Sequence, residues 1–191
     1  ARFVASTIGR IPWDGLPTRL SYALLMIDNA STDGTQAALE EIEEGLKRAG
    51  HKTHVILHSR NRGYGGSVKS ALDFCRERGF GYLVVLHADG QYAPEALPGL
   101  LGRLLEREDE ALHFGSRMAG RPLEGGMPLY KYLANRALTW LQNRVLGLNL
   151  SEYHSGYRLY RMRLLEGIPY RRNRDSFVFD NEILFQLAHF R

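Results

Sequence analysis

The stretch Tyr22-Ala23-Leu24-Leu25-Met26-Ile27-Asp28 decides the fold class, because a short unbroken apolar run ending in a carboxylate reads as a strand buried on both faces. A helix is predicted after it: Ala38, Leu39, Ile42 and Leu46 recur at helical spacing among acidic residues, and Gly50 supplies a stop. The cycle then repeats. His54 to His58 reads as a second strand, Gly63 to Gly66 as a tight turn, and Ser67 to Arg78 as a helix ended by Gly79. Tyr82 to Leu86 is a third strand, Pro94 to Glu106 a third helix, and Leu112 to Gly115 a fourth strand. Strands alternating with helices of this length predict an α/β fold with a mainly parallel central sheet flanked by helices.

Beyond Pro128 a long amphipathic helix carries Leu129, Leu133, Ala137, Trp140, Leu141 and Val145 and stops near Gly147. Most of that stripe is expected to be core, while the flanking Lys131, Arg136 and Arg144 leave open a peripheral membrane contact. The chain has 191 residues, 44% apolar and 24% charged, which suits one globular domain and excludes a disordered one. Its single cysteine, Cys75, has no partner for a disulfide or a thiolate zinc site, so a cytoplasmic setting is expected. No apolar run approaches the roughly 18 residues that span a bilayer. The net charge is +4, with arginines bunched at 158, 161, 163, 171, 172 and 174; these read as a solvated basic face or as a site for an anion. No recognition motif for nucleic acid accompanies the basic balance.

Sheets of this kind bind ligands beyond the carboxyl ends of their strands. Those ends carry Asp28-Asn29, Asn61-Arg62, His87-Ala88-Asp89 and Ser116-Arg117. The turn Gly63-Tyr64-Gly65-Gly66-Ser67-Val68-Lys69 matches neither a dinucleotide fingerprint nor a P-loop, since Val68 stands where each needs a glycine. It reads equally as a phosphate-approaching loop or as a plain strand-to-helix turn. In His87-Ala88-Asp89-Gly90-Gln91, side chains 87, 89 and 91 fall on one side of an extended segment, where they suit one divalent ion, Mg2+ or Mn2+, with diphosphate oxygens completing its shell. The plainer reading is an Asp-Gly turn.

Taken together these segments resemble the family 2 glycosyltransferases, and particularly their polyprenyl-phosphate branch. Ile27-Asp28-Asn29-Ala30-Ser31-Thr32-Asp33-Gly34-Thr35 is similar to the family's V-D-D-x-S-x-D-G-T, and Asn61-Arg62-Gly63-Tyr64-Gly65 to its N-x-G-x-G. His87-Ala88-Asp89-Gly90-Gln91 is similar to D-A-D-x-Q, Gly115-Ser116-Arg117 to G-S-R, and Glu152-Tyr153-His154-Ser155-Gly156-Tyr157-Arg158 to D-x-x-S-G-F-R. The resemblance implies a GT-A fold. It implies donor contacts from Asp28, Asn29, Asp33, Asn61, Gly63, Ala88 and Asp89, and metal ligation by Asp89 with Gln91 and His87. Arg117, Ser155 and Arg158 would handle acceptor phosphate. His87 and Asn29 each replace a family aspartate, and imidazole, the softer ligand, shifts metal preference toward manganese. The family's opening strand is absent, so Ala1 to Arg10 matches the helix after it, and the chain reads as a single catalytic domain, 1–191, cut within a helix at its C-terminus.

The implied activity is inverting hexosyl transfer from a UDP- or GDP-linked sugar to a polyprenyl or dolichyl phosphate, at the cytoplasmic face of a membrane. A phosphate acceptor is already ionised, whereas a saccharide hydroxyl needs a base. Asp180 is the catalytic candidate for that role beside Asp89 and Arg158; Glu182 is a second candidate base, and helix capping is the alternative for Asp180. The competing classes are a nucleotidyltransferase and a non-catalytic nucleotide-sugar-binding scaffold.

Overall fold

The computed structural model describes residues 2–116, 118, 120, 122–124 and 126–190. The alternation is present as α1 (Arg2–Gly9), β1 (Ala23–Asp28), α2 (Thr35–Arg48), β2 (Lys52–Leu57), α3 (Gly63–Glu77), β3 (Tyr82–Val85), α4 (Leu97–Glu106), β4 (Leu112–Phe114), α5 (Leu129–Leu146), β5 (Arg158–Arg161) and α6 (Phe179–Phe190). The class is α/β. β1 and β2 pair in parallel, from Ala23 opposite Lys52 to Asp28 opposite Leu57, and α2 is their crossover. Met26 and Leu39 bury between this pair and α2 together with Ile8 of α1.

A fifth strand, not expected from the sequence, organises the rest. β5 lies between β3 and β4 and is antiparallel to both, with Leu159 opposite Val84 on one side and His113 on the other. All four of its residues are buried. Leu159 packs with Leu97, Leu101 and Leu104 of α4, while its neighbour Tyr160 packs with Leu72, Phe179 and Ile183 from α3 and α6, the alternation a strand requires. Arginines at both ends disguise it as a polar segment. They are tolerated inside because their donors are met. Arg161 gives Nη1 to Tyr82 Oη at 2.8 Å, Nη2 to Arg107 O at 3.0 Å and to Leu104 O, and Nε to Glu110 O at 3.2 Å. The late arginines are therefore not one basic face. Arg158 and Arg161 are interior, Arg171 pairs with Asp73 at 2.8 Å, and Arg174 sits 3.7 Å from Glu182.

The expectation for α5 is reversed. Its less exposed positions are Tyr132, Asn135, Thr139, Gln142, Asn143 and Leu146, a face that is mostly polar. Asn143 clamps the chain after the helix: Nδ2 donates to Leu150 O and Oδ1 accepts from Leu150 N–H, both at 2.9 Å, and Oδ1 also accepts from Tyr153 Oη at 2.8 Å. The apolar stripe with Leu129, Leu133, Trp140, Leu141 and Val145 faces outward, each residue at least half exposed. Hydrogen bonding to the 150–153 segment, rather than apolar burial, orients this helix.

α3 begins at Gly63, earlier than the spacing predicts, because the glycine turn is its first helical turn. Gly63 has φ +72°, and Cβ atoms at Gly63 and Gly65 would overlap Asp175 O and Arg174 O. The Gly65 N–H donates to Asp175 O at 2.8 Å. These glycines thus let residues 174–175 cross the helix N-terminus at backbone distance. Gly65→Ala is expected to destabilise the fold by about 3 kcal/mol, read as a lower urea midpoint, since its neighbours are backbone atoms that cannot swing away.

Candidate active site

Asp28 ends β1 as a buried carboxylate. Its Oδ2 accepts from the Ser31 N–H at 3.1 Å and from Gln36 Nε2 at 3.2 Å, while Oδ1 is buried with no protein partner. Burial opposes ionisation, but the hydrogen bonds from Ser31 and Gln36 outweigh it and hold the carboxyl below its ordinary range. Asp28 is thus a charged group with one oxygen that no described residue hydrogen-bonds.

Asn29 joins β1 to the glycine turn. Its Nδ2 donates to Asn61 Oδ1 at 2.9 Å and to Gly63 O at 3.2 Å; its Oδ1 accepts from the Arg62 N–H at 2.8 Å and meets His58 Nδ1 at 3.0 Å. A carboxylate could not make the first two bonds, which gives a physical reason for an amide at this position. Asn61 Oδ1 also accepts from the Gly63 N–H at 2.8 Å. Asp33 is exposed just before α2, its carboxylate bonded by the Thr35 hydroxyl.

Tyr64, within the glycine turn, is the hub that the sequence does not single out. Its ring lies 5.1 Å from that of His87, beyond the end of β3, and it stacks at 5.1 Å on Phe177 ahead of α6. Its hydroxyl donates to Asp180 Oδ1 at 3.2 Å. The carboxyl ends of β1, β2 and β3 and the start of α6 are thereby brought to one edge. The only signal for Tyr64 in the sequence is its place between two glycines.

His87 is held between Tyr64 and Tyr92, whose ring is 5.3 Å away, and against Gly156, where a Cβ would come within 2.7 Å of the imidazole. Burial lowers its pKa, so the ring is neutral near pH 7, the form that ligates metals. Nε2 is buried without a hydrogen-bond partner among the described residues, and Nδ1 lies 3.9 Å from Asp89 Oδ2. Asp89 is half-exposed; its Oδ1 accepts from the Gln91 N–H at 2.9 Å, the Asp-Gly turn of the plainer reading, yet its other oxygen stays available. Ala88 and Gln91 are exposed beside it. Ligands about 2.0–2.2 Å from a common ion can stand 3.9 Å apart, so this imidazole and carboxylate fit a divalent ion. Among the described residues no three His, Cys, Asp or Glu side chains group as a metal site, so ligand oxygens would have to complete the shell.

The three residues that the resemblance assigns to acceptor phosphate divide differently. Arg117 lies outside the described residues. Ser155 is fully buried and its hydroxyl donates to Gly115 O at 2.5 Å. Arg158 is 1% exposed: Nε donates to Ser155 O at 2.8 Å and lies 3.2 Å from Asp180 Oδ1, Nη1 donates to Asp180 O at 3.0 Å, and Nη2 to Tyr153 O at 3.0 Å. Asp180 sits in the first turn of α6, and its carboxylate meets Arg158 and Tyr64. Burial raises its pKa against the lowering pull of Arg158. Glu182 Oε2 accepts from the Arg174 N–H at 2.6 Å. Beside residues 87–91 a cavity of about 520 Å³ is lined by Gln91, Tyr92, Leu100, Phe114, Ser116 and Tyr157, and the buried Tyr157 hydroxyl has no hydrogen-bond partner among the described residues.

The structure is an α/β domain with carboxylate, amide and imidazole groups gathered at the carboxyl ends of its strands. The sequence profile described as glycosyl transferase family 2 matches residues 1–168; the chain belongs to that family, and its fold is therefore of the GT-A class. Polyprenol monophosphomannose synthase of Mycolicibacterium smegmatis is 29% identical over 145 residues, covering 76% of this chain and 53% of that protein. Undecaprenyl-phosphate mannosyltransferase of Micrococcus luteus is 31% identical over 167 residues, 85% of this chain and 62% of that protein. UDP-N-acetylglucosamine--dolichyl-phosphate N-acetylglucosaminyltransferase of Methanococcus voltae is 26% identical over 145 residues, 72% of this chain and 57% of that protein. The chain thus spans between half and two thirds of these relatives' lengths. Their names agree with the polyprenyl-phosphate branch that its motifs resemble.

Proposed function

We propose that this domain transfers a hexose from a nucleoside-diphosphate sugar to a polyprenyl phosphate, with inversion at the anomeric carbon. The carrying observation is the pairing of Asp89 with a neutral His87 next to the 520 Å³ cavity. Asp28 Oδ1 would accept a hydrogen bond from the donor's base, and Asp33, Ala88 and the backbone at Gly63 would border the nucleotide. A divalent ion bound by Asp89 and His87, with Gln91 at its edge, would supply positive charge to the leaving diphosphate.

In the reaction, an acceptor phosphate oxygen forms the new bond to the anomeric carbon as the bond to the donor's diphosphate breaks in line, and the electron pair leaves on the nucleoside diphosphate. A phosphate nucleophile needs no general base. That suits a site in which Asp180 is tied to Arg158 and Tyr64 and Glu182 to the Arg174 backbone. It also favours a phosphate acceptor over a saccharide hydroxyl. Arg158 and Ser155 act here as positioning residues, holding the 153–158 segment that flanks the cavity, and Arg117 is the residue left to meet acceptor phosphate.

The test incubates the protein with UDP- and GDP-sugars, magnesium or manganese, and a short-chain polyprenyl phosphate. The expected result is release of nucleoside diphosphate with sugar appearing on the lipid phosphate. Released pyrophosphate would identify a nucleotidyltransferase, transfer to free saccharide a hydroxyl acceptor, and donor binding without turnover a scaffold; each replaces the proposal.

A further inference from the structure

His58 follows β2 and is buried, 8% exposed. Its backbone N–H donates to Asp28 O at 3.0 Å, continuing the β1–β2 pairing by one residue, so that its ring lies between the end of β1 and α3. Both ring nitrogens are met. Nδ1 lies 3.0 Å from Asn29 Oδ1, and Nε2 lies 3.0 Å from Ser70 Oγ in α3. The imidazole thus joins the two elements whose ends carry Asp28, Asn29, Asn61 and Gly63.

Backbone groups decide which nitrogen bears the hydrogen. The Arg62 N–H can only donate and Gly63 O can only accept, and Asn29 meets the first with Oδ1 at 2.8 Å and the second with Nδ2 at 3.2 Å. Turned over, this amide would set its NH2 against an N–H and its oxygen against a carbonyl and against Asn61 Oδ1, which the Gly63 N–H already fixes as an acceptor. Asn29 Oδ1 is therefore the acceptor that faces His58, and Nδ1 carries the hydrogen. In the neutral ring Nε2 is then a lone pair. It takes the Ser70 hydroxyl hydrogen in preference to Gly66 O at 3.1 Å, and Ser70 Oγ in turn accepts from Arg62 Nη1 at 3.1 Å. The neutral form is the one held: burial and the Arg62 guanidinium lower the pKa of the ring, against a weaker upward pull from Asp28.

We propose that His58 is a positioning residue for the nucleotide-sugar donor: its Nδ1–H holds the Asn29 amide, and with it Asn61 and the Gly63 turn, in the single orientation that borders the nucleotide. Without that bond the Asn29 oxygen keeps only the Arg62 N–H, and the turn that Asn29 ties to β1 loosens. The consequence falls on donor binding and not on the bond-making step, because His58 is hydrogen-bonded to neither Asp89 nor His87. The effect on donor rests on the reading of this edge as a nucleotide-sugar site; the direction of the hydrogen bonds does not.

Two measurements test it. Two-bond 1H–15N correlation spectra of the histidine rings near neutral pH should show His58 as the Nδ1–H tautomer, its signals assigned by their loss in His58→Asn. Release of nucleoside diphosphate from UDP- and GDP-sugars with manganese is then compared for the parent chain, His58→Phe and His58→Asn. His58→Phe keeps a ring but no donor, and should raise the donor KM about tenfold with kcat within about twofold of the parent. His58→Asn puts an amide N–H where Nδ1–H stood and should return the donor KM to within about threefold of the parent. Packing alone would not give that rescue, since asparagine fills the space less well than phenylalanine. An Nε2–H tautomer, an unchanged donor KM in His58→Phe, or His58→Asn as impaired as His58→Phe would overturn the proposal and leave the catalytic reading standing. If His58→Phe fails to fold, the tautomer and the KM of His58→Asn decide. A parent chain that binds donor without turnover would sink the catalytic reading alone, the same comparison then being read from donor Kd; one that binds no nucleotide sugar would overturn both.

Discussion

Arg158→Ala is expected to lower stability by about 3–5 kcal/mol, because removing one member of a buried ion pair leaves the other charge uncompensated. The guanidinium joins three parts of the fold. It reaches Ser155 O and Tyr153 O in the segment before β5, and Asp180 O and its carboxylate at the start of α6. The substitution would take this donor from three carbonyls and leave the Asp180 carboxylate its bond from Tyr64 but no countercharge from Arg158, in a place where water is excluded. Arg158→Lys should rescue little, since one ammonium cannot reach acceptors in three directions. Asp180→Asn keeps an acceptor for Tyr64 and Arg158 and should cost only about 1–2 kcal/mol. Urea denaturation of the three variants checks this ordering. An Arg158→Ala protein with an unchanged midpoint would show that the pair does not stabilise the fold and would return Arg158 to direct phosphate contact. Loss of activity alone would not discriminate, because unfolding produces it too.

The same residue shows where sequence reading stops. An arginine in a serine-glycine motif reads as an anion ligand because guanidinium suits phosphate, and no local pattern reveals that its donors are met by the carbonyls of Ser155 and Tyr153 just before it and of Asp180 in α6. β5 was hidden for the same reason: Arg158-Leu159-Tyr160-Arg161 becomes a doubly buried strand only once β3, β4 and the α4 carbonyls surround it. By contrast β1 was legible from its unbroken apolar run, and α2 from its periodicity, because those signals depend on the segment's own burial pattern. The glycine turn was located correctly, yet its reason lay in the 174–175 backbone, more than a hundred residues away. α5 had the right length and stop, with Gly147 in the left-handed region at φ +66°, but the wrong face was assigned to the interior. Periodicity gives the angle between the polar and apolar faces. Which face turns inward is decided by partners, here the amide clamp of Asn143 on Leu150. Asp89 and His87 read as neighbours from a spacing of two along an extended segment; residues 88–90 form a turn instead, and the two side chains stand 3.9 Å apart across it.

Asp89→Ala is expected to behave in the opposite way to Arg158→Ala, abolishing function in a protein that folds normally. Asp89 is 43% exposed at its side chain and makes one backbone hydrogen bond, so its removal should change stability by no more than about 0.5 kcal/mol. Charge stabilisation of a leaving diphosphate is worth several kcal/mol, so turnover should fall by about a thousandfold or more. Binding is the sharper readout. A donor at 100 times its dissociation constant stabilises the fold by about 2.7 kcal/mol, and this melting shift should require manganese or magnesium and vanish in Asp89→Ala. His87→Asp extends the argument. It trades a neutral imidazole for a second carboxylate and should move the preferred ion from manganese toward magnesium. A donor shift of full size without metal, persisting in Asp89→Ala, would remove Asp89 and His87 from the ion's coordination. The charge on the leaving group would then have to be met by the arginines outside the buried cluster.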